Sequence, residues 1–434
     1  MRIPGCLAVL LVGLAPALAW AQVDTAALQP LENRTVTSID FTGLQHTKPS
    51  VITRELETIV GELLRLDVLS ADLQRLENLG IFASAEATGR LDGEGVAVTF
   101  TLKEAIRGFP YPAASYTEVN GWSFGAGATW RNLLGRNISV SGRLLLGGTD
   151  TYAFRVTDPW IAWNHVAFDV RFAHLDRPDK LNDFREQSDE LAPWVSTYLG
   201  TKGRLAGSVG FFHLRSDVAG KTLSPSNQDH FIRAGVRLGY DSRDSWRNPR
   251  HGWQNEVEIL RTEGDGQFWS ANFDVRRYEP VGSRKLELSA LLSLQSGEVG
   301  LDVPEYLMYR VGGTNSIRGY QLETLGREIY GKNQLLTTAE YVFTIVAPRY
   351  INPAGRIPLK LGIEASVFAD AGTAWNEPRE FALDRYRAGV GGGLRILGSG
   401  SGQLRLEVGW SPSGGFVFHF AAGAKVQNQR ARLR

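Results

Sequence analysis

Only one cysteine occurs in the 434 residues, Cys6, and it precedes the first apolar stretch. Everything after that stretch is free of thiols, which excludes disulfides and thiolate metal sites from the folded chain. A net excess of either charge is missing too. The 47 Lys and Arg stand against 46 Asp and Glu, a balance that argues against a nucleic-acid partner. Beyond Ala21 no apolar run reaches the length of a membrane-spanning helix, so a place in a membrane could be reached only with strands closed into a barrel. Catalytic signatures are scarce as well: there is no His-Glu-x-x-His and no glycine-rich phosphate loop. The seven histidines (His46, His165, His174, His213, His230, His251 and His419) show no metal-ligand spacing. The expectation is a protein without cofactor, metal or enzymatic activity.

What is present begins with a leader. Residues 1–21 have a charged start at Arg2, an apolar stretch from Leu7 to Leu18 and the small-x-small ending Ala19-Trp20-Ala21. This is the layout of a secretory signal peptide cleaved before Gln22. Cys6 lies on the wrong side of the apolar stretch for a lipoprotein. The body combines 48 Gly, 11 Trp and 13 Tyr with a mean hydropathy of −0.17. Alternating lipid-facing and lumen-facing residues average out to such a mixture.

Residues 34–104 read as strand, helix, helix, strand, strand. Val36 to Phe41 alternates and stops at Gly43. A helix is expected from Pro49 through Leu56, Ile59 and Val60, ended by Gly61. A second is expected from about Ser70, with Leu69, Leu73, Leu76 and Leu79 as its apolar stripe and Gly80 closing it. Phe82 to Thr88 and Val96 to Leu102 then form strands around a turn at Asp92-Gly93. By itself the pattern leaves any small α+β domain open.

From 109 to 425 turn signals mark off about 16 strands, an even number suited to a transmembrane antiparallel barrel. Leu286, Leu288, Ala290, Leu292 and Leu294 alternate with Lys285, Glu287, Ser289 and Ser293. Leu404, Leu406, Val408 and Trp410 alternate with Gln403, Arg405 and Glu407. The fold class is therefore mainly β, a barrel preceded by one small α+β domain, with a basic tail at 426–434. Two of the shorter expected strands are 165–175 and 192–201. The stretch 297–332 is too long for an ordinary hairpin loop and is expected to be functional.

That stretch contains Val311-Gly312-Gly313-Thr314-Asn315-Ser316-Ile317-Arg318-Gly319-Tyr320. Other phrases fall in order around it: Asn132-Leu133-Leu134-Gly135-Arg136, Asp158-Pro159-Trp160, Tyr240-Asp241-Ser242-Arg243-Asp244, Phe368-Ala369-Asp370-Ala371-Gly372 and Gly391-Gly392-Gly393-Leu394-Arg395. Together they resemble the Omp85 superfamily of outer-membrane barrels. Asn78-Leu79-Gly80-Ile81-Phe82 leading into a strand resembles a POTRA domain of that family. The resemblance implies a loop folded into the barrel, with Arg318, Gly319 and Tyr320 at its tip and acidic partners at Glu340 and Asp370. Alternation independently points both carboxylates into the lumen, and a confined guanidinium needs such partners. Gly312, Gly313 and Gly319 would permit the tight turns of that loop. Asp241 to Asp244 read as turn chemistry.

The resemblance also implies a bacterial outer-membrane location with the small domain in the periplasm, and insertion or translocation of polypeptides. The implied partners are outer-membrane lipids and unfolded or strand-forming clients, with accessory subunits as a further expectation. A strand edge of the small domain is one client contact. The other is the seam where 109–119 meets 415–425, which Pro110 and Pro112 should weaken. Phe416, Phe418 and Phe420 lie on the last strand, and the run between Gly415 and Gly423 is expected to pair modestly across the seam. The alternative is an outer-membrane pore or an exporter dedicated to one secreted partner. One POTRA-like domain is fewer than essential assembly factors of the family carry, so a specialised paralogue is expected as readily as a general machine.

Overall fold

A computed structural model of the chain describes residues 28–162, 165–245, 248–351, 359–398 and 403–422. The expected leader and basic tail lie outside the described residues. The chain divides between Ala105 and Ile106 into two compact units.

The first unit is a three-stranded sheet with two helices. Strands β1 (Val36–Thr42), β2 (Phe82–Asp92) and β3 (Gly95–Glu104) run in the order β1-β3-β2, with β1 parallel and β2 antiparallel to β3. Leu69, Leu73 and Leu76 form one face of the helix Leu66–Asn78 and are buried with Val96, Val98, Phe100 and Leu102 of the central strand. Both helices differ from expectation. The first spans only Pro49–Thr53, and Ile59 and Val60 are more than half exposed. The cause is tertiary. Asp72, fully buried on the second helix, accepts the backbone N–H groups of Glu57 (2.8 Å) and Thr58 (2.9 Å), and Arg75 Nε donates to the Glu55 carbonyl (2.9 Å). Charge-assisted bonds of this kind outcompete one more helical turn. The second helix starts at Leu66, ahead of Ser70, with Asp67 in its first turn.

Sixteen strands form one antiparallel sheet in the second unit. The first eleven are β4 (Gly108–Thr117), β5 (Gly121–Leu133), β6 (Ile138–Gly147), β7 (Asp150–Ala162), β8 (Val166–Asp179), β9 (Phe184–Leu199), β10 (Gly203–Ser216), β11 (Gln228–Asp241), β12 (Gly252–Gly264), β13 (Phe268–Val281) and β14 (Arg284–Gln295). A long loop follows, in which the two-residue strands β15 (Tyr309–Arg310) and β16 (Tyr330–Gly331) pair with each other. The sheet resumes with β17 (Asn333–Ile351), β18 (Leu359–Trp375), β19 (Arg387–Leu397), β20 (Gln403–Ser411) and β21 (Gly415–Ala422). Neighbours in sequence are neighbours in the sheet, which curls into a nearly closed barrel.

The two faces of the wall are inverted relative to a soluble protein. Val367, Val408, Trp410 and Leu288 are exposed outside, whereas Lys285, Glu364, Asp370, Arg405 and Glu407 are buried inside. This is the outward-apolar, inward-polar pattern of a membrane barrel. Strands β8 and β9 run further than expected because their distal halves carry polar residues on both faces, so alternation fades there. Cross-strand pairs hold them instead, Arg177 with Glu186 (2.7 Å) and Arg185 with Asp176 (2.7 Å). The chain enters the barrel at Gly108 and reverses at every hairpin. The β4–β5 turn and the long loop after β14 therefore share the far rim.

One prediction concerns the first unit. Glu104 accepts the N–H groups of Gln45 (3.2 Å), His46 (3.0 Å) and Thr47 (2.7 Å). Burial opposes its charge, but these donors outweigh burial and hold the carboxyl at about 2, below its ordinary 4.5. A depressed carboxylate contributes stability that is present above pH 4.5 and lost as pH falls toward 2. Amide exchange at residues 45–47 of the full chain is expected to accelerate through that interval, and Glu104→Gln is expected to abolish the dependence.

Candidate functional site

The long loop turns inward and carries its own core. Val311, Ile317, Tyr320, Leu325 and Ile329 pack with Leu291, Leu336 and Ala374 of the wall. A second cluster joins Val303, Tyr306 and Leu307 to Phe184, Leu214, Phe231 and Phe268, and the Tyr306 hydroxyl donates to Asp229 (2.6 Å). At the tip the backbone closes on itself: Gly313 N–H donates to the Tyr320 carbonyl (2.9 Å) and Ser316 N–H to the Gly313 carbonyl (3.1 Å). Gly312 and Gly313 occupy positive φ in this turn.

Arg318 is completely buried. Its Nε and Nη2 form a fork on Asp370 (2.8 and 3.0 Å), and its backbone N–H adds a third bond to the same carboxylate (3.0 Å). Nη1 donates to Glu407 (2.6 Å) and, at longer range, to Glu340 (3.4 Å). The guanidinium carbon lies 3.3 Å from the centre of the Phe368 ring. Burial works against the charge, and the close carboxylates of Glu340, Asp370 and Glu407 offset it. The carboxylates are themselves shared. Glu340 pairs with Arg395 (2.6 Å), which also reaches Glu287 (3.1 Å). Glu407 pairs with Arg405 (3.1 Å), which binds Asn315 of the loop (3.0 Å). Alternating charges thus run along the inner wall from β14 to β20.

The tip also spans the gap in the barrel. Among the described residues no backbone ladder joins β21 to β4. Three side chains meet there instead. Gly319 N–H donates to His419 Nε2 on β21 (3.1 Å). Thr314 N–H donates to Glu118, which follows β4 (3.0 Å). His419 Nδ1 faces Glu118 and the Thr314 hydroxyl. Since Nε2 accepts from Gly319, Nδ1 is the nitrogen that carries the proton toward Glu118. Gly319 is obligatory at this position: its φ is +102° and a Cβ would sit 2.8 Å from the Trp410 backbone. The Gly319 carbonyl accepts from Ser411 Oγ (2.7 Å), and the buried Tyr320 hydroxyl accepts from Ser413 Oγ (3.2 Å).

Residues 132–425 match the Omp85 superfamily domain, and residues 34–105 match the surface antigen variable number repeat, the POTRA domain. The chain belongs to the Omp85 superfamily. It is 24% identical to the outer membrane protein assembly factor BamA of Neisseria meningitidis, over 91% of this chain and 55% of that protein. It is 21% identical to the chloroplastic outer envelope protein 80 of Arabidopsis thaliana, over 87% of this chain and 54% of that one. The chain thus spans about half the length of these relatives. Its fold is similar to BamA from Haemophilus ducreyi lacking POTRA domains 1–3, with a TM-score of 0.59 at 18% identity, covering 90% and 84% of the two chains. It is also similar to CdiB from Escherichia coli, with a TM-score of 0.59 at 12% identity, covering 90% and 76%.

In this Omp85 barrel the residues expected at the loop come together: Arg318 meets Asp370 and Glu340, with Gly319 and Tyr320 seated against β20 and the hairpin after it. Glu407 was not expected, and it binds Arg318 more closely than Glu340 does. Its inward parity beside Arg405 is visible in the sequence. What is not visible is that Arg318 reaches across β19 from β18 to β20. Asp370 faces Gly389, where a Cβ would come within 1.9 Å of the Arg318 carbonyl oxygen, so a glycine strand makes the span possible. His419 and Glu118 belong to no recognisable motif, and Thr314, although inside the loop phrase, has no role legible in the sequence. The modest zipper expected between Gly415 and Gly423 is replaced, in the part described, by this cluster and by rings: Phe420 lies 6.0 Å from Tyr116 and 5.1 Å from Trp122. Phe416 and Phe418 point outward and are strongly exposed. Pro110 and Pro112 sit on β4, whose second edge has no ladder among the described residues; an edge strand is where a missing N–H costs least. Asp241 binds Arg243 (2.6 Å), and Asp244 accepts the amides of Arg250 and His251.

Arg318→Ala leaves three buried carboxylates short of a partner, so a loss of about 3–5 kcal/mol is expected. Arg318→Lys keeps the charge without the fork and should lie between. Denaturant unfolding followed by tryptophan fluorescence measures both. Pairing Arg318→Ala with Glu407→Gln should cost less than the sum of the single changes; strict additivity would refute a shared network.

Proposed function

We propose that this protein inserts or translocates polypeptides at the bacterial outer membrane, with the β4–β21 seam as its gate and the Arg318 loop as the latch. The observation that carries this reading is the seam itself. Among the described residues two sheet edges approach without a ladder and are tied by Glu118, Thr314, Gly319 and His419. Unpaired edges are templates for an incoming strand, and main-chain bonds make little demand on client sequence. The first unit offers the same chemistry in a periplasmic setting, because β1 and β2 are both outer strands of its sheet. The relation to a protein named an outer membrane protein assembly factor supports the same class of activity.

The mechanism needs no cofactor and no covalent step. Client strands would bind the small domain by edge addition and then pair with β4 or β21 once the latch releases. Outer-membrane lipids bathe the apolar outer face, and accessory subunits could dock on the small domain. The loop, with two apolar clusters packed inside the lumen, counts against a passive open pore.

The thiol-free body makes the test direct. Cysteines placed at Tyr116 and Phe420, bridged by a short bifunctional reagent, should stop client insertion by the reconstituted protein, and a cleavable bridge should restore it on cleavage. An unchanged insertion rate in the bridged protein would show that the seam is not the gate.

A further inference from the structure

The outer face of β8 to β12 carries a feature that the gate does not use. His174, Asp189, His213 and His230 lie in one row across four strands, each directly opposite the next. His174 Nδ1 lies 2.8 Å from Asp189, and His213 Nδ1 lies 3.6 Å from the other oxygen of that carboxylate. The rings of His213 and His230 stack with centres 4.5 Å apart. Asp265 closes the row, accepting the backbone N–H of His230 (2.7 Å).

The neighbouring rows give this line its meaning. One step toward the near end, Phe172, Leu191, Phe211 and Ile232 form a parallel row, all exposed. One step toward the far rim, Arg215 stands opposite Gln228, and Arg215 is exposed. On β10 and β11 the outer surface therefore changes over six residues from apolar through imidazole to guanidinium and amide. A cleft of about 470 Å³ opens along the boundary, lined by Phe211, Ile232, His213, His230, Asp189 and Glu263 among others. His213 Nε2 is shielded from solvent and has no hydrogen-bond partner among the described residues. A shielded ring nitrogen without a partner is costly unless something supplies one.

We propose that this stripe is a seat for one phosphate-bearing membrane lipid. Its acyl chain lies on Phe211 and Ile232, and its phosphate is held by Arg215 with His213 and His230 beneath it. Arg215 brings a permanent charge and a planar fork suited to phosphate oxygens. The imidazoles add donors when protonated, and Gln228 adds an amide. Asp189 is engaged on both sides, by His174 Nδ1 (2.8 Å) and, at longer range, by His213 Nδ1 (3.6 Å); Asp265 lies 3.6 Å from His230 Nδ1, and Glu263 pairs with Arg261. The vertical order matches an amphiphile standing in a bilayer, with basic and amphipathic groups at headgroup level. The inference rests on the barrel standing in a membrane and is independent of the gate.

The test uses the full-length protein in nonionic detergent, with native mass spectrometry reading retained lipid. The probes are phosphatidylglycerol and a diacylglycerol of the same chains. Wild type is expected to retain phosphatidylglycerol and to release diacylglycerol. Arg215→Gln should lower retention about fivefold, the loss of one basic side chain at a lipid surface, and His213→Gln should lower it further. Arg204→Gln, a charge change at the other end of β10, should leave retention unchanged and controls for folding and overall charge. Equal retention by wild type and the Arg215 variant overturns the seat, as does an equal loss in the Arg204 variant. Equal retention of the two probes shows apolar adhesion only. Failure to take up either amphiphile would count against the membrane reading itself.

Discussion

A guanidinium enclosed in the lumen of a barrel has no water to fall back on, and the interior of this protein is arranged around that constraint. Arg318 finds three carboxylates, Asp370, Glu407 and Glu340, on three different strands. Two of them are shared with other cations, because Arg395 and Arg405 draw on Glu340 and Glu407 in turn, and Asp370 also accepts from the Thr338 hydroxyl (2.9 Å). A loop held by one shared charge network is held in one place. The glycine-rich β19 lets the loop backbone lie directly on the wall, and the apolar clusters around Val311 and Tyr306 fill the remaining space.

Seating the loop there also decides how the barrel closes. Gly319 is the residue next to Arg318, and its N–H meets His419 of the last strand. Thr314, five residues before Gly319, meets Glu118 at the end of the first. A single turn of chain, anchored on β18 and β20, therefore reaches both edges of the seam. Release of the loop and opening of the seam share the same bonds and should proceed as one event.

Much of this architecture could be read from residue order. Alternation assigned the faces of β14, β18 and β20, because a strand with one lipid face and one wet face has a period of two. It also placed Glu340 and Asp370 inward. Glu407 escaped because contacts that skip over a strand depend on sheet order and on which strand is slim enough to cross. The seam cluster escaped for a related reason: Glu118 and His419 are about 300 residues apart and meet only when the sheet curls. In the first unit the helix after Pro49 was overestimated because Asp72, on another helix, captures the amides that would have continued it. In β8 and β9 the signal faded where both faces are polar. Local pattern is reliable where burial is one-sided and weak where the deciding partner is distant.

The coupling of loop to seam is the claim on which the rest depends. Spin labels at Val119 and Pro412 flank the seam at the far rim, and pulsed electron resonance would give the distance distribution between them. The wild type is expected to show one narrow distance. Arg318→Lys, where the loop is loosened but the lumen charge is kept, is expected to show a broader distribution shifted to longer distances. A narrow, unshifted distribution in a variant whose loop has become accessible to protease would contradict the coupling.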